Sequence, residues 1–567
     1  MSKIGVFICH CGINIAGTVD VEKVAADIAR YPGVAYATTY KYTCSDPGQQ
    51  LIRDSIKEHG LDGVIVAACS PAMHEVTFRR TAASAGLNPY LVECANIREQ
   101  CSWVHTKEPE RATEKALVTI QAMVEKIRGN EALDPLSLPL TKKALVIGGG
   151  IAGLTAALDI ADAGYPVVLV ERSPKLGGHM AELSGPFLNF NVTPGLLEKR
   201  IERVSTHPNI RVITNAQLVQ ADGYVGNFRT SVAPNDAPEQ RETIDVGAIV
   251  AATGYDRYPL SRLPEYGGGA LPDVITAQDL EAMFAKESGL RRPSDGRVPR
   301  EVVFVQCAGS RDPERGVPYC SKVCCMAVAK LARTYKERVP HGQAYVFYID
   351  IRSAGLHYDE YVQEAMTKYR TLYLRGKVSK LYQDGDKIRV WGSDTLSGRA
   401  VEVAADLVVL ATPMAASPGA AELAQRLHIS TDAHGFYSEA HPKLRPVESL
   451  TAGIFLAGAG QGPKDIPETV GQASAAAAKV LQLFSRDEMK AEPTIARVIP
   501  ELCAACGLCV AACPYGARQI DELKHIATVN AALCQTCGAC AAACPNKASV
   551  VRNWTPVQIL RAADVLV

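Results

Sequence analysis

Short apolar runs separated by polar or small-residue turns recur along the first half of this chain, a spacing that predicts parallel strands alternating with helices. Near the N-terminus four such runs, "IGVFIC", "AYATTYKYTC", "GVIVAAC" and "PYLVEC", each end in a cysteine: Cys9, Cys44, Cys69 and Cys94. They predict a small parallel α/β domain with its thiols converging on the carboxyl ends of the strands, where open α/β sheets bind their ligands. Cys11 and Cys101 lie close by as competing candidates. A second apolar pattern begins at "KALVIGGGIAGLTAALDIADAGYPVVLVERS": a strand, Gly148-x-Gly150-x-x-Gly153, an amphipathic helix, and a second strand ending in Glu171, 23 residues after the first glycine. Strand, glycines, helix and acid together form a dinucleotide-binding fingerprint, with a tight turn, close backbone approach to a pyrophosphate and a helix N-terminus behind it. Either FAD or NAD suits that fingerprint.

A third apolar strand, "EVVFVQ" at 301–306, should open another such turn, but it runs into Cys307-Ala308-Gly309-Ser310 and then into Arg311, Asp312, Glu314 and Arg315. Bulky charged side chains leave no cradle for a second dinucleotide. Three more cysteines follow, Cys320, Cys324 and Cys325, at the start of the helix predicted over "CCMAVAKLARTYKE". Adjacent cysteines rarely bridge each other, yet at a helix start both can reach one iron–sulfur cubane. The expectation is an unusual [4Fe–4S] site in place of a nicotinamide site, beside Lys330, which could face the flavin or lie exposed.

The cysteine count then organises the chain. Of eighteen, six lie within the first 101 residues, four at 307–325 and eight between 503 and 544. In a long chain this clustering reads as metal ligation, not disulfides. The last eight form an internal repeat offset by 31 residues: Cys503, Cys506, Cys509 and Cys513-Pro, then Cys534, Cys537, Cys540 and Cys544-Pro. This is the two-cluster ferredoxin run, in which the fourth cysteine of each run ligates the other cluster. One cluster is expected on Cys503, Cys506, Cys509 and Cys544, the other on Cys534, Cys537, Cys540 and Cys513.

At 567 residues three to four domains are expected, at about 150 residues each. Sixty basic and sixty acidic residues cancel, which points away from nucleic acid and anionic membranes as partners. The N-terminus lacks a signal-peptide pattern and no 18-residue apolar run occurs, so a cytoplasmic protein without a transmembrane segment is expected.

Three further stretches favour FAD because they resemble the disulfide-reductase class of flavoproteins: "KLGGHM" with Gly177, Gly178 and His179; "IVAATGY" with Thr253 and Gly254; and "GIFLAGAGQGPKDIPETVGQASAAAAKVL" with Gly458, Asp465 and Ile466. By that likeness Ile151, Ala152 and Arg172 join the FAD site, Asp465 serves the ribityl–pyrophosphate region, and a second Rossmann-type domain is inserted between two FAD halves. The whole chain, through "VFICHCGINIAG", "YTCSDPGQQLI", "AACSPAMHEVTFRR", "NIREQCSWVH", "CAGSRD" and "YCSKVCC", resembles the HdrA family, the A-type subunits of heterodisulfide reductases. The resemblance implies an N-terminal cluster on Cys9 or Cys11, Cys44, Cys69 and Cys101, with Cys94 set aside. It also implies a homodimer within a soluble complex whose other subunits carry the heterodisulfide chemistry. In that complex an electron donor or acceptor protein meets an FAD that splits or gathers electron pairs. Larger members carry an inserted ferredoxin module, whereas residues 179–306 here hold no cysteine. Alternatives are an NAD(P)H-dependent enzyme like the small subunit of glutamate synthase, or a relay subunit that does not bifurcate.

The expected architecture is therefore an N-terminal α/β iron–sulfur domain (1–135), a thioredoxin-reductase-like FAD core (142–255 and 406–485) with a degenerate second Rossmann-type region (256–405), a 2[4Fe–4S] ferredoxin module (495–555) and a tail (556–567).

Overall fold

The computed structural model of the chain describes residues 3–185, 195–286 and 289–565. It divides into two compact units, residues 1–138 with 488–567, and residues 139–487.

The first unit begins with a four-stranded parallel sheet in which Ile4–Cys9 pairs with both Val34–Tyr40 and Gly63–Ala68, and Val92–Asn96 forms the far edge. The strands Ile4–Cys9 and Gly63–Ala68 are buried throughout, as a central strand covered by helices on both faces must be. Helix Asp46–His59 starts on a Ser45 side-chain cap and stops at Gly60 in the left-handed conformation. Two cysteines stand elsewhere than their apolar runs predict. The second strand ends at Tyr40, so Cys44 stands in the turn that leads into the next helix. Cys94 lies in the middle of its strand, not at its end, and packs among the helix-facing apolar residues. The same unit contains the ferredoxin region, two short antiparallel pairs (Ala496–Val498 with Ser549–Val551, Arg518–Asp521 with Ile526–Val529) and two four-residue helical turns. The tail forms helix Pro556–Asp564, whose buried Gln558 bonds Lys126 and Asn130 at the end of helix Pro109–Ile127. It therefore packs on the N-terminal α/β domain.

The second unit repeats one plan twice. A five-stranded parallel sheet, ordered Ile454–Leu456, Ala248–Ala251, Ala144–Ile147, Val167–Val170, Ile210–Ile213, carries an antiparallel three-stranded layer over 216–246. Helices Ile151–Asp162 and Ile466–Phe484 pack together on it, the first built almost wholly of small and aliphatic residues with nine of its side chains or glycines buried. Each fully buried aliphatic side chain contributes roughly 1.5–3 kcal/mol, so this helix pair is fixed by burial and not by surface charge. The second parallel sheet runs Val274–Thr276, Leu407–Leu410, Glu301–Val305, Gln343–Tyr348, Leu372–Arg375, with its own antiparallel layer over 378–405. Because Leu407–Leu410 pairs with Glu301–Val305, the expected division after residue 405 falls one strand early. The chain returns to the first half only after Tyr255–Arg257 pairs with Met414–Ala416.

Among the described residues no helix is long and apolar enough to cross a membrane.

Candidate flavin and iron–sulfur sites

A cavity of about 600 Å³ runs through the second unit from the Gly148 turn to the helix Cys324–Arg338. Its walls show why the glycines are needed. A Cβ on Gly153 would stand 1.8 Å from the Gly148 carbonyl oxygen, and one on Gly148, at φ +109°, would stand 2.3 Å from the Ala252 oxygen. Gly150 differs: a Cβ there would meet nothing closer than 3.9 Å, and it opens helix Ile151–Asp162 without a side-chain cap. Ile151 and Ala152, in the first turn of that helix where amides have no intrahelical partner, line the cavity, as a pyrophosphate site requires. Glu171 accepts from the Gly149 amide at 2.5 Å and the Ser173 amide at 2.7 Å, leaving lone pairs for ribose hydroxyls. Gly177 and Gly178 back the glycine turn, Gly177 donating to the Gly149 oxygen. His179 bridges Glu182 and the Tyr255 oxygen. Arg172 is half-exposed at the cavity wall, donating to Ser417. Thr253 bonds Tyr437, and Gly254 sits at φ +69°. Asp465 caps helix Ile466–Phe484 in a reciprocal box with Glu468 and accepts from Tyr358 at 2.8 Å. Gly458 at φ +75° lets the returning strand approach Ala152. These residues fit an FAD: a glycine turn that tolerates no side chain, and two helix N-termini aimed into one elongated cavity.

The helix Cys324–Arg338 closes the far end, and Cys324, Ala327, Lys330 and Leu331 line the cavity there. Lys330 is buried, not exposed: its ammonium donates to both oxygens of Glu281 at 2.6 and 2.5 Å, to Ser184 at 2.9 Å and to the Gly185 oxygen at 2.7 Å. Burial pulls its pKa below the ordinary lysine range, with Glu281 opposing.

Between strand Glu301–Val305 and this helix the chain makes a long excursion instead of a tight glycine turn, and Cys307 adopts φ +56°. Cys320 stands close enough to Cys307, Cys324 and Cys325 to raise the pKa of all three, and Cys307 raises the adjacent pair; burial is the larger cause in each, pushing Cys325 up to about 11. Backbone amides point at the sulfurs, Lys322 to Cys320 at 3.2 Å and Arg352 to Cys325 at 3.4 Å.

In the ferredoxin region one cavity is lined by Cys503, Cys506, Cys509 and Cys544, a second by Cys513, Cys534, Cys537 and Cys540. The crossed sets expected from the spacing are thus the sets brought together. The sequence repeat is also a backbone repeat: Ala505 and Thr536, Gly507 and Gly538, Gly516 and Lys547 each share positive φ across the 31-residue offset. Amides of Ala527, Ala517 and Ala496 donate to Cys503, Cys513 and Cys534 at 3.3, 3.3 and 3.5 Å.

The N-terminal thiols divide. Cys9, Cys11, Cys44 and Cys69 gather around Arg98, whose Nη1 lies 3.3 Å from Cys11 Sγ and whose charge opposes the burial that raises Cys44 and Cys69. Cys101 does not join them: it sits in a wide helical turn, Arg98–Ser102, with its thiol donating to the Ala112 oxygen at 3.0 Å inside the core. Cys94 packs against the core, where burial, with Glu75 and Glu93, pushes it up to about 12. The expected set, Cys9 or Cys11 with Cys44, Cys69 and Cys101, therefore differs from the grouping found: Cys9 and Cys11 both stand with Cys44 and Cys69, and Cys101 faces the core. Among the described residues no three His, Cys, Asp or Glu side chains are drawn tightly enough for a single ion. In the ferredoxin region, where each set of four thiols lines one cavity, that spacing suits a bulky cluster better than a lone metal held at about 2.3 Å.

Known proteins share these features. Residues 144–245 match the FAD dependent oxidoreductase family and residues 481–548 the 4Fe-4S dicluster domain. A CoB--CoM heterodisulfide reductase iron-sulfur protein of Methanopyrus kandleri, the second of its A-type subunits, is 41% identical, covering 92% of this chain and 91% of its own. The chain belongs to the HdrA family of heterodisulfide reductases. Other members include the A-type subunit of the H(2):CoB-CoM heterodisulfide,ferredoxin reductase of Methanothermobacter marburgensis, 39% identical over 92% of this chain and 91% of that one. An HdrA-like protein of Archaeoglobus profundus is 38% identical over 91% of each chain. The Methanopyrus alignment extends over 600 positions although it takes in 92% of a 567-residue chain, so that family member carries residues this chain lacks. Among solved structures, thioredoxin reductases from T. acidophilum and Lactococcus lactis align with 61% of this chain and 98% and 99% of their own, at 16% and 19% identity and a TM-score of 0.42. The chain is accordingly an oxidoreductase subunit that transfers electrons with FAD and [4Fe–4S] groups, on a mixed α/β fold.

Proposed function

We propose that this subunit carries electrons between FAD in the 600 Å³ cavity and four [4Fe–4S] clusters, within a cytoplasmic heterodisulfide-reductase-like complex that bifurcates or confurcates electrons. The observation that carries this reading is Cys324: it lines the flavin cavity while belonging to the four-thiol group at 307–325. FAD, when bound, exchanges electron pairs, and the clusters exchange single electrons. The residues do the rest. Cys307, Cys320, Cys324 and Cys325 would hold one cluster; Cys9, Cys11, Cys44 and Cys69 a second; and the two crossed ferredoxin sets the others. Lys330 holds a proton at Nζ at the end of the cavity that Cys324 also lines, kept there by Glu281. Arg311, Asp312, Glu314 and Arg315 occupy the place where a second dinucleotide cradle would lie, which supports delivery of electrons by clusters in place of NAD(P)H. The partners are the other subunits, a donor or acceptor protein, and a second copy of this chain.

An anaerobic redox titration with iron and flavin quantified tests the reading. It should give about sixteen irons per FAD, no bleaching by NADH or NADPH, and flavin reduction in a single two-electron wave. About eight irons with bleaching by NADPH would sink it. Two resolved one-electron waves would leave a relay subunit.

A further inference from the structure

The four thiols at 307–325 stand beside buried polar groups that have no partner among the described residues. Gln306, 5% exposed, directly follows strand Glu301–Val305; Ser310, 1% exposed, follows Cys307; Thr412, 6% exposed, follows the adjacent strand Leu407–Leu410. The Gln306 Nε2, Ser310 Oγ and Thr412 Oγ1 atoms are all shielded from solvent and unbonded. Native proteins rarely leave such groups unmade, and a group of them at one place points to a partner that the chain itself does not supply. Gln306 is the most direct of the three, because its other amide atom, Oε1, lies 3.2 Å from Cys325 Sγ.

That contact has two senses. With a neutral thiol, Cys325 donates to Oε1 and Nε2 is stranded. With a thiolate, which is what an iron ligand must be, the sulfur can only accept. Turning the amide over then puts an N–H on the sulfur and frees the oxygen, and amide orientation is set by such networks. We propose that Gln306 is a positioning residue for the 307–325 cluster, donating an N–H···S bond to Cys325 alongside the Arg352 amide at 3.4 Å. A donor on a ligating sulfur stabilises the more negative, reduced state and so raises the potential. Gln306 would thereby set how readily the cluster beside the flavin cavity accepts an electron.

The inference rests on a cluster being held at 307–325, and the test separates the two. The EPR signal of that cluster is the one lost in Cys320→Ser, and its midpoint is read by anaerobic titration of the full chain with iron counted. Gln306→Met keeps the side-chain length and removes the donor. It should keep its iron and show about a tenfold lower reduced-to-oxidised ratio at a fixed potential, about 59 mV downward for one electron. Gln306→Asn, which withdraws the amide by one methylene, should shift the ratio the same way and covers a failure of the methionine variant to assemble. An unmoved midpoint at full iron in either variant overturns the role of Gln306 and leaves the cluster in place. Wild-type protein whose iron and spectra do not change in Cys320→Ser overturns the cluster itself.

Discussion

At the scale of single residues the glycine turn separates two requirements that a motif merges. Gly153 and Gly148 are fixed by the chain's own atoms, since any Cβ would collide with backbone oxygen at 1.8 and 2.3 Å. Gly150 is fixed only by what enters the cavity, because a Cβ there has open space and its φ of −77° suits any residue. Gly153→Ala should therefore lower the melting temperature and flavin content together. Gly150→Ala should leave the melting temperature of flavin-free protein nearly unchanged while weakening FAD binding at least tenfold, about 1.4 kcal/mol. Equal stability loss in both would show that the Gly150 gap is not reserved for a ligand. The Lys330–Glu281 pair gives a second prediction. Glu281→Ala strands a buried ammonium, and breaking a buried pair costs about 3–5 kcal/mol, a loss readable by denaturant unfolding. Replacing both partners (Lys330→Met with Glu281→Leu) should recover most of it. Lysine burial was not legible in the sequence, because the residue that holds Lys330 lies 49 positions upstream on another helix.

Elements show what local pattern can and cannot carry. The grouping of the ferredoxin cysteines around two cavities is readable because the spacing itself encodes the crossing, and the backbone repeats its left-handed positions at the same offset. Cys513→Ala should accordingly remove about four irons from the cavity lined by Cys534, Cys537 and Cys540, and spare the one lined by the rest of its own run. Loss of the signal belonging to Cys503, Cys506 and Cys509 instead would refute the crossing. The grouping of the N-terminal thiols is only half readable. Parallel strands bring Cys9 and Cys69 to one edge by topology, as expected, but the direction of Cys101 depends on a widened helical turn packed on Ala112. Apolar periodicity places a residue on an element and leaves the rotation of an irregular turn undetermined. Leu407–Leu410 falls on the other side of the expected division for a related reason: a short, fully buried strand carries no mark of which of two parallel sheets it joins.

At the scale of the whole molecule the chain order conceals a nested design. Strand Leu136–Leu138, where the first unit ends, pairs antiparallel with Met489–Ala491, where it resumes. The chain thus leaves and re-enters the first unit side by side. The ends of the second unit also meet, through Lys142 and Asp487 at 3.5 Å. The first unit is closed without the flavin half: Asn553 donates to Glu131 and accepts from its amide, Gln558 bonds Lys126 and Asn130, and Lys126 lies over the Trp554 ring at 4.0 Å. Sites where chain ends lie close together are where insertions are tolerated. Residues 139–487 expressed alone should therefore fold, bind one FAD and keep about four irons. Residues 1–138 joined to 488–567 by a short Gly/Ser linker should fold without flavin and hold about twelve. Iron and flavin analysis of the two purified pieces checks both. A second piece that is insoluble, or that keeps only ferredoxin iron, would mean that the N-terminal thiol group needs the flavin half to be completed.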